Sequence, residues 1–397
     1  MKIVAKTAAL AAALAAAGVA HSAQVELFGF LDAGVSYINE HTNAGMAAPV
    51  GQKSANTVDK NGYVSRNAKR QSFEQGTGNV STFGFRGKEE LTDDVSVTFH
   101  LEQGFLADTG EFYNRSKMFE RESTVGLVSK TWGEFKVGRM PGILTGSGTT
   151  GKLNGRVNPF GAGWGNMTGG YKFVSGLQVV RLDNMFYYAT PKMGGFNGYL
   201  QGSFGNTSEG SYENTSKSDR YLAGLVSYEN GPLFAALGVD WMNMTSSPKQ
   251  TYKDWYRVYA GAHYDFSGFT LYGTAHYMKN VQYIGGYSTK EFAPLAYGQK
   301  HGTDMNKGFE GYAVTTGAKF GLWGGTVMTS VGYGWGEDQN LETQNKYKRA
   351  NAGLGYRYPL SKRTSLYGIA GVFWQDADWQ KKNIYANELI LGLMHRF

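Results

Sequence analysis

The feature that most constrains this chain is an alternation of apolar and polar residues with period two, repeated along nearly its whole length. In Val95-Ser96-Val97-Thr98-Phe99-His100-Leu101-Glu102 the odd positions are apolar and the even ones polar. In Tyr256 to Phe266 the even positions are apolar. About sixteen segments of roughly ten residues read this way, the length a tilted strand needs to cross a bilayer. The first two lie at 24–38 and 80–90, and the last at 385–397. Their connections alternate between short and long. The short ones carry turn residues, such as Thr92-Asp93-Asp94, Asn230-Gly231 and Pro359-Leu360-Ser361. The long ones include 39–79, 141–180 and 280–309.

That pattern predicts an all-β chain, a 16-stranded antiparallel transmembrane β-barrel with both termini at the short-turn end. In hydrocarbon every backbone N–H and C=O needs a partner, and a closed sheet provides one for each. Composition agrees. The 397 residues include 56 Gly, 26 Tyr, 23 Phe and 8 Trp but only 8 Pro. That glycine content is roughly twice the usual share of about 7%, and aromatics suit strands and interfacial girdles. Mean hydropathy is low, −0.38, because only one face of each strand meets lipid. Cysteine is absent, so neither a disulfide framework nor a thiolate metal site is expected.

Residues 1–23 read as a secretory signal peptide: Lys2 and Lys6, then an Ala- and Leu-rich stretch from Ala8 to Ala20, then small residues up to Ala23. Cleavage after Ala20 remains an alternative to Ala23. The barrel domain is then 24–397. The net charge of +7 becomes +5 without Lys2 and Lys6. No block of like charge suggests nucleic-acid binding.

Several blocks in order resemble the trimeric general porins of Gram-negative, β-proteobacterial type. They are Phe83-Gly84-Phe85-Arg86-Gly87-Lys88-Glu89-Glu90-Leu91, Leu101-Glu102-Gln103-Gly104-Phe105, and Arg121 before Val125-Gly126-Leu127. Trp132 to Arg139, Asn158-Pro159-Phe160-Gly161, Arg181 to Pro191 and Gly392 to Phe397 continue the series. The resemblance implies a homotrimer in the cell outer membrane. It implies passive diffusion of small hydrophilic solutes, no cofactor, and a third extracellular loop folded into the barrel. Here that loop is about 141–180. The closing residues Leu391, Leu393, His395 and Phe397 share one face with Leu389. They resemble the C-terminal signal read by the barrel assembly machinery.

The third loop carries Lys152, Arg156 and Lys172 and no Asp or Glu. Members of the family often place acidic groups there. They also often have Asp at the position of Asn158 and Arg at that of Thr82. Strand parity points Arg86, Arg181, Arg257, Arg349 and Arg357 into the lumen, with Glu102, Asp32 and Asp183 on the acidic side. Arg121 and Arg139 share parity with outward residues and suit a strand end or a subunit interface. Basic rings favour anions, so an anion preference is expected.

Other functions are less well served. His100, His263 and His276 lie on strands with inward parity, whereas a lipase acting on membrane lipid needs its His on the outer face. No Gly-x-Ser-x-Gly or His-Glu-x-x-His motif is present. An enzyme is therefore not expected. A substrate-specific channel, or a receptor or adhesin using the long loops, is the alternative.

Overall fold

The computed structural model describes residues 24–41, 46–47, 57–58, 63–65, 67–75, 78–161, 164, 174, 181–205, 218–244, 253–281, 283–284, 295–296, 307–339, 343, 345–378 and 383–397. The signal peptide, Lys172 and much of the long loops lie outside them. Wherever alternation is strong, a strand forms. In chain order these are β1 (Gln24–His41), β2 (Asn67–Gln75), β3 (Thr82–Glu90), β4 (Val95–Gly104), β5 (Glu122–Ser129) and β6 (Gly133–Met140). Next come β7 (Leu182–Ala189), β8 (Phe196–Ser203), β9 (Arg220–Asn230), β10 (Leu233–Asn243), β11 (Trp255–Asp265) and β12 (Phe269–Val281). The remainder are β13 (Phe309–Leu322), β14 (Gly325–Asp338), β15 (Lys346–Pro359), β16 (Thr364–Ala377) and β17 (Ile384–Arg396). Short two- and three-residue strands decorate the long connections. Among the described residues no helix is long and apolar enough to cross a membrane.

All neighbours are antiparallel, and β1 closes the ring by pairing with β17, from Phe30 opposite Arg396 to His41 opposite Tyr385. The seal continues one residue further, where Gly29 and Phe397 exchange two backbone hydrogen bonds of 3.1 Å. On its other edge β1 is covered twice. β3 pairs with its first half, Gln24 opposite Lys88 through Phe30 opposite Thr82. β2 pairs with its second half, Ala33 opposite Gln75 through His41 opposite Asn67. Seventeen segments thus occupy sixteen positions of a closed barrel.

β2 corrects the sequence reading, which gave residues 39–79 to a single loop. Its sequence, Asn-Ala-Lys-Arg-Gln-Ser-Phe-Glu-Gln, lacks the alternation, so only its pairing with β1 reveals it. The break between β2 and β3 is held by Asp32. Its Oδ2 accepts the N–H groups of Gly78 (2.8 Å) and Asn79 (2.7 Å), and its Oδ1 accepts the Tyr367 hydroxyl (2.7 Å). Its own N–H donates to Ser81 Oγ at 3.0 Å. Asp32 therefore points inward, as parity predicts, but is wholly buried as a cap on a strand break rather than displayed as a lumen charge.

The outer face is graded. Val226, Leu237, Val239, Val258, Val331, Leu354 and Val372 are exposed aliphatic positions. Toward the long-loop end, Tyr256, Tyr277, Tyr312 and Trp335 form a chain of ring contacts with centroids 5.1 to 5.9 Å apart. Toward the short turns, Tyr264, Phe266 and Phe269 form a second one, at 4.6 and 4.9 Å. Two aromatic bands flanking an aliphatic zone are what a barrel presents to the two interfaces of a bilayer. Leu389, Leu391, Leu393 and Phe397 share this outer face.

Replacing Asp32 by Ala strips three donors of their acceptor. Each buried donor left unmet costs about 1–3 kcal/mol. The variant is expected to lose about 3 kcal/mol in urea unfolding of the refolded barrel, and Asp32→Asn less.

Candidate functional site

The strands leave an interior whose wall is the inward-pointing set of alternate residues. Residues 141–161 lie against that wall. Two side chains anchor the start of the segment. Gln201 on β8, fully buried, accepts the Ile143 N–H and donates to the Pro141 carbonyl, both at 2.8 Å. Glu122 on β5 accepts the Thr149 N–H at 2.8 Å and the Thr149 hydroxyl. The segment then folds back, with Lys152 N–H bonded to the Ile143 carbonyl (2.8 Å) and Leu153 N–H to that of Thr145 (3.1 Å). It continues into one helical turn, α1 (Asn154–Val157).

Beyond these anchors the segment follows the wall. Leu144 fills the space over Gly238, and Val157 the space over Gly261. Any larger residue at those two inward positions would collide with the loop. Tyr259 donates its hydroxyl to Asn154, and His263 Nδ1 bonds the Arg156 carbonyl at 2.7 Å. Pro159 then meets β13 at Gly317, and Phe160 meets β15 at Gly355. Val174 touches β14 at Gly334, and the Trp164 ring lies 5.3 Å from that of Tyr367 on β16.

Charge on the wall is organised in pairs. Arg121 Nε donates to Glu102 Oε1 at 2.7 Å, and His100 Nε2 lies 3.3 Å from Glu102 Oε2. Arg181 Nε donates to the Arg121 carbonyl at 2.7 Å. At the long-loop ends of β6 and β7, Arg139 donates to Asp183 at 2.7 Å and Lys117 binds the same carboxylate. Arg257 is held by Asp240 through Nε (2.9 Å) and through its Nη2, and both groups are buried. Arg156 pairs with Glu229 and lies 3.8 Å over the Phe234 ring. Arg86 forms a bidentate pair with Glu26, both contacts 2.8 Å, at the exposed short-turn end.

Other cations have no such partner. Lys152, Lys319, Arg349 and Arg357 form no ion pair among the described residues. Lys152 donates to the Thr149 carbonyl at 2.7 Å. Burial lowers its pKa from the ordinary lysine value. Arg349 is almost fully buried, with its guanidinium 4.9 Å from the Phe373 ring.

Parity said nothing of the partners that hold the strand arginines. Arg121 and Arg139 lie at strand ends, one of the two places that their parity suited. Both sit where strand alternation ends, and both turn to a carboxylate. The sequence reading passed over Glu122, Gln201 and Lys319, although the same parity argument points each of them inward. His100, Glu102 and Glu122 bring possible metal-ligand atoms within 4.8 Å of one another. No spacing motif signals this, because the group spans two strands. The carboxylates already accept hydrogen bonds from Arg121, Thr124 and Thr149.

A sequence profile for Gram-negative porins matches residues 8–378. An outer membrane porin protein of Bordetella pertussis is 30% identical over 98% of this chain and 99% of its own length. Outer membrane porin protein 32 of Delftia acidovorans is 28% identical over 96% of this chain and 94% of its own. Among solved structures, an anion-selective porin from Comamonas acidovorans superposes with a TM-score of 0.65 at 24% identity. That match covers 95% of this chain and all of that one.

Removing the Asp240 carboxylate takes its bidentate acidic partner from the buried Arg257 guanidinium. Asp240→Ala is expected to destabilise the barrel by about 3–5 kcal/mol, read as a lowered urea midpoint in lipid vesicles.

Proposed function

The chain belongs to the Gram-negative porin family, and from that premise we propose an outer-membrane general diffusion channel that prefers anions and works as a homotrimer. The family places the barrel in the outer membrane, with the short turns toward the periplasm and the long loops outside. The segment 141–161, pinned by Gln201 and Glu122, narrows the passage from one side. Lys152 and Arg156 on that segment, with Arg121 and Arg181 on the wall, set its electrostatics. The outer face of β17, ending in Phe397, is the surface the assembly machinery reads. No catalytic role is assigned to His100, His263 or His276.

One observation carries the anion preference. Glu26, Glu102, Glu229 and Asp240 each hold an arginine, whereas four inward cations hold no carboxylate among the described residues. The inward carboxylates of Asp32 and Glu122 also form no ion pair among the described residues, but both are engaged by neutral donors, and on this reading the cations set the balance of the wall. Low-dielectric walls focus that field along the pore, and its range shrinks with salt. The name of the Comamonas acidovorans neighbour describes an anion-selective porin, which is consistent with this reading at the level of fold.

In a planar bilayer under a potassium chloride gradient, the reversal potential should carry the sign for chloride. Potassium preference would overturn the reading. Glu102→Gln should raise the chloride-to-potassium permeability ratio, and Lys152→Met should lower it, by about two-fold each if one charge in the field is removed.

The Lys152 pKa supplies a pH test. Its folded value is depressed, so the ammonium loses its proton at a lower pH than a free lysine does. Anion preference should therefore begin to fall below the ordinary lysine range as pH rises. Lys152→Met should remove that step from the titration.

A further inference from the structure

At the short-turn end of the lumen, beneath Trp164, lies a cavity of about 300 Å³. Its charged lining comes from Arg357 on β15, Lys362 and Arg363 in the turn before β16, and Arg396 at the end of β17. Among the described residues no Asp or Glu lines it. Two acidic groups lie close by, and neither belongs to the lining. The Asp32 carboxylate is turned toward Gly78, Asn79 and Tyr367. The terminal carboxylate of Phe397 accepts the Gly29 N–H at 3.1 Å and keeps its negative charge next to Arg396 in the chain. Lys319, across one intervening strand, raises the local positive potential further, since it and Arg357 act on each other electrostatically.

We infer that this cavity is a subsite for a phosphate-class dianion, inorganic phosphate or a small phosphomonoester, at the periplasmic exit of the pore. The inference rests on the anion-preferring pore reading and deepens it by naming the solute chemistry. Three guanidinium groups present planar, forked donors that match oxyanion geometry bidentately. Such donors add little for a spherical chloride. A phosphate near neutral pH carries a charge of about −1.5 to −2, which a single-sign basic cluster favours over a monovalent ion. The volume is at the lower bound of pockets that hold small organic ligands, roughly 300–1,000 Å³. The Trp164 ring, braced on Tyr367, gives a small organic group an apolar surface beside the phosphate.

The geometry also fits a station on a path rather than a sealed site. All four basic residues are exposed. An anion leaving the narrow segment therefore meets a last cluster of cations, from which it can still depart to the periplasm.

The test is calorimetric titration of inorganic phosphate into the refolded full-length mature barrel in detergent, at fixed chloride concentration. The expected result is saturable binding that weakens at least about tenfold in either Arg357→Gln or Arg363→Gln, as loss of a charged hydrogen bond implies. Lys88→Gln, a rim lysine outside the cavity, should leave binding unchanged. If an arginine variant does not fold, as judged by circular dichroism, Lys362→Gln in the exposed turn carries the same expectation of weakened binding. Absence of saturable binding, or equal binding by parent and cavity variants, would overturn the subsite. The reversal potential in potassium chloride is measured on the same proteins. Saturable binding without chloride preference would remove the pore reading and leave the subsite standing. Chloride preference without binding would do the reverse.

Discussion

Everything in this molecule depends on leaving no backbone hydrogen-bonding group unpaired on a surface that meets hydrocarbon. An open edge in a bilayer strands a row of N–H and C=O groups, each costing several kcal/mol. The chain meets this constraint with β1, which pairs along one edge with β17 and along the other with β2 and β3 in succession. Where the β1 ladder breaks between β2 and β3, a side chain repairs it. Asp32 accepts the two N–H groups that the break exposes there, those of Gly78 and Asn79.

Once the sheet is closed, its inner face becomes a place where polar groups must find one another. The segment 141–161 exploits this. Gln201 and Glu122 satisfy its backbone where it enters, and glycines on β10 and β11 give it room to lie close. A segment held by fully buried side chains is part of the wall.

The distribution of charge follows from the same enclosure. An arginine that is buried beneath the segment, such as Arg257, is bound to a carboxylate because an isolated buried charge is far more costly than a paired one. The inward cations without an ion pair among the described residues differ in their surroundings: Arg357 is exposed, Lys152 and Lys319 are half-buried, and Arg349 is buried against the Phe373 ring. The anion preference proposed for the pore is therefore a difference between paired and unpaired inward charges, and not a count of arginines in the chain.

Much of this was legible in the sequence. Period-two alternation, strand length and the alternation of short and long connections determine a barrel of sixteen positions, because only one face of each strand may be apolar. Parity also determined that Arg257, Arg349 and Arg357 point inward, since successive side chains must alternate. Three things only the tertiary structure decided. β2 has no alternation of its own and exists as a strand because β1 offers it an edge. Arg121 and Arg139 escape parity because they stand where regular pleating ends, so partners rather than period set their direction. The basic exit cluster joins the loop residue Trp164 to β15, the turn before β16 and the end of β17. No spacing along the chain signals it, because only barrel closure and the return of the loop into the lumen bring those residues together.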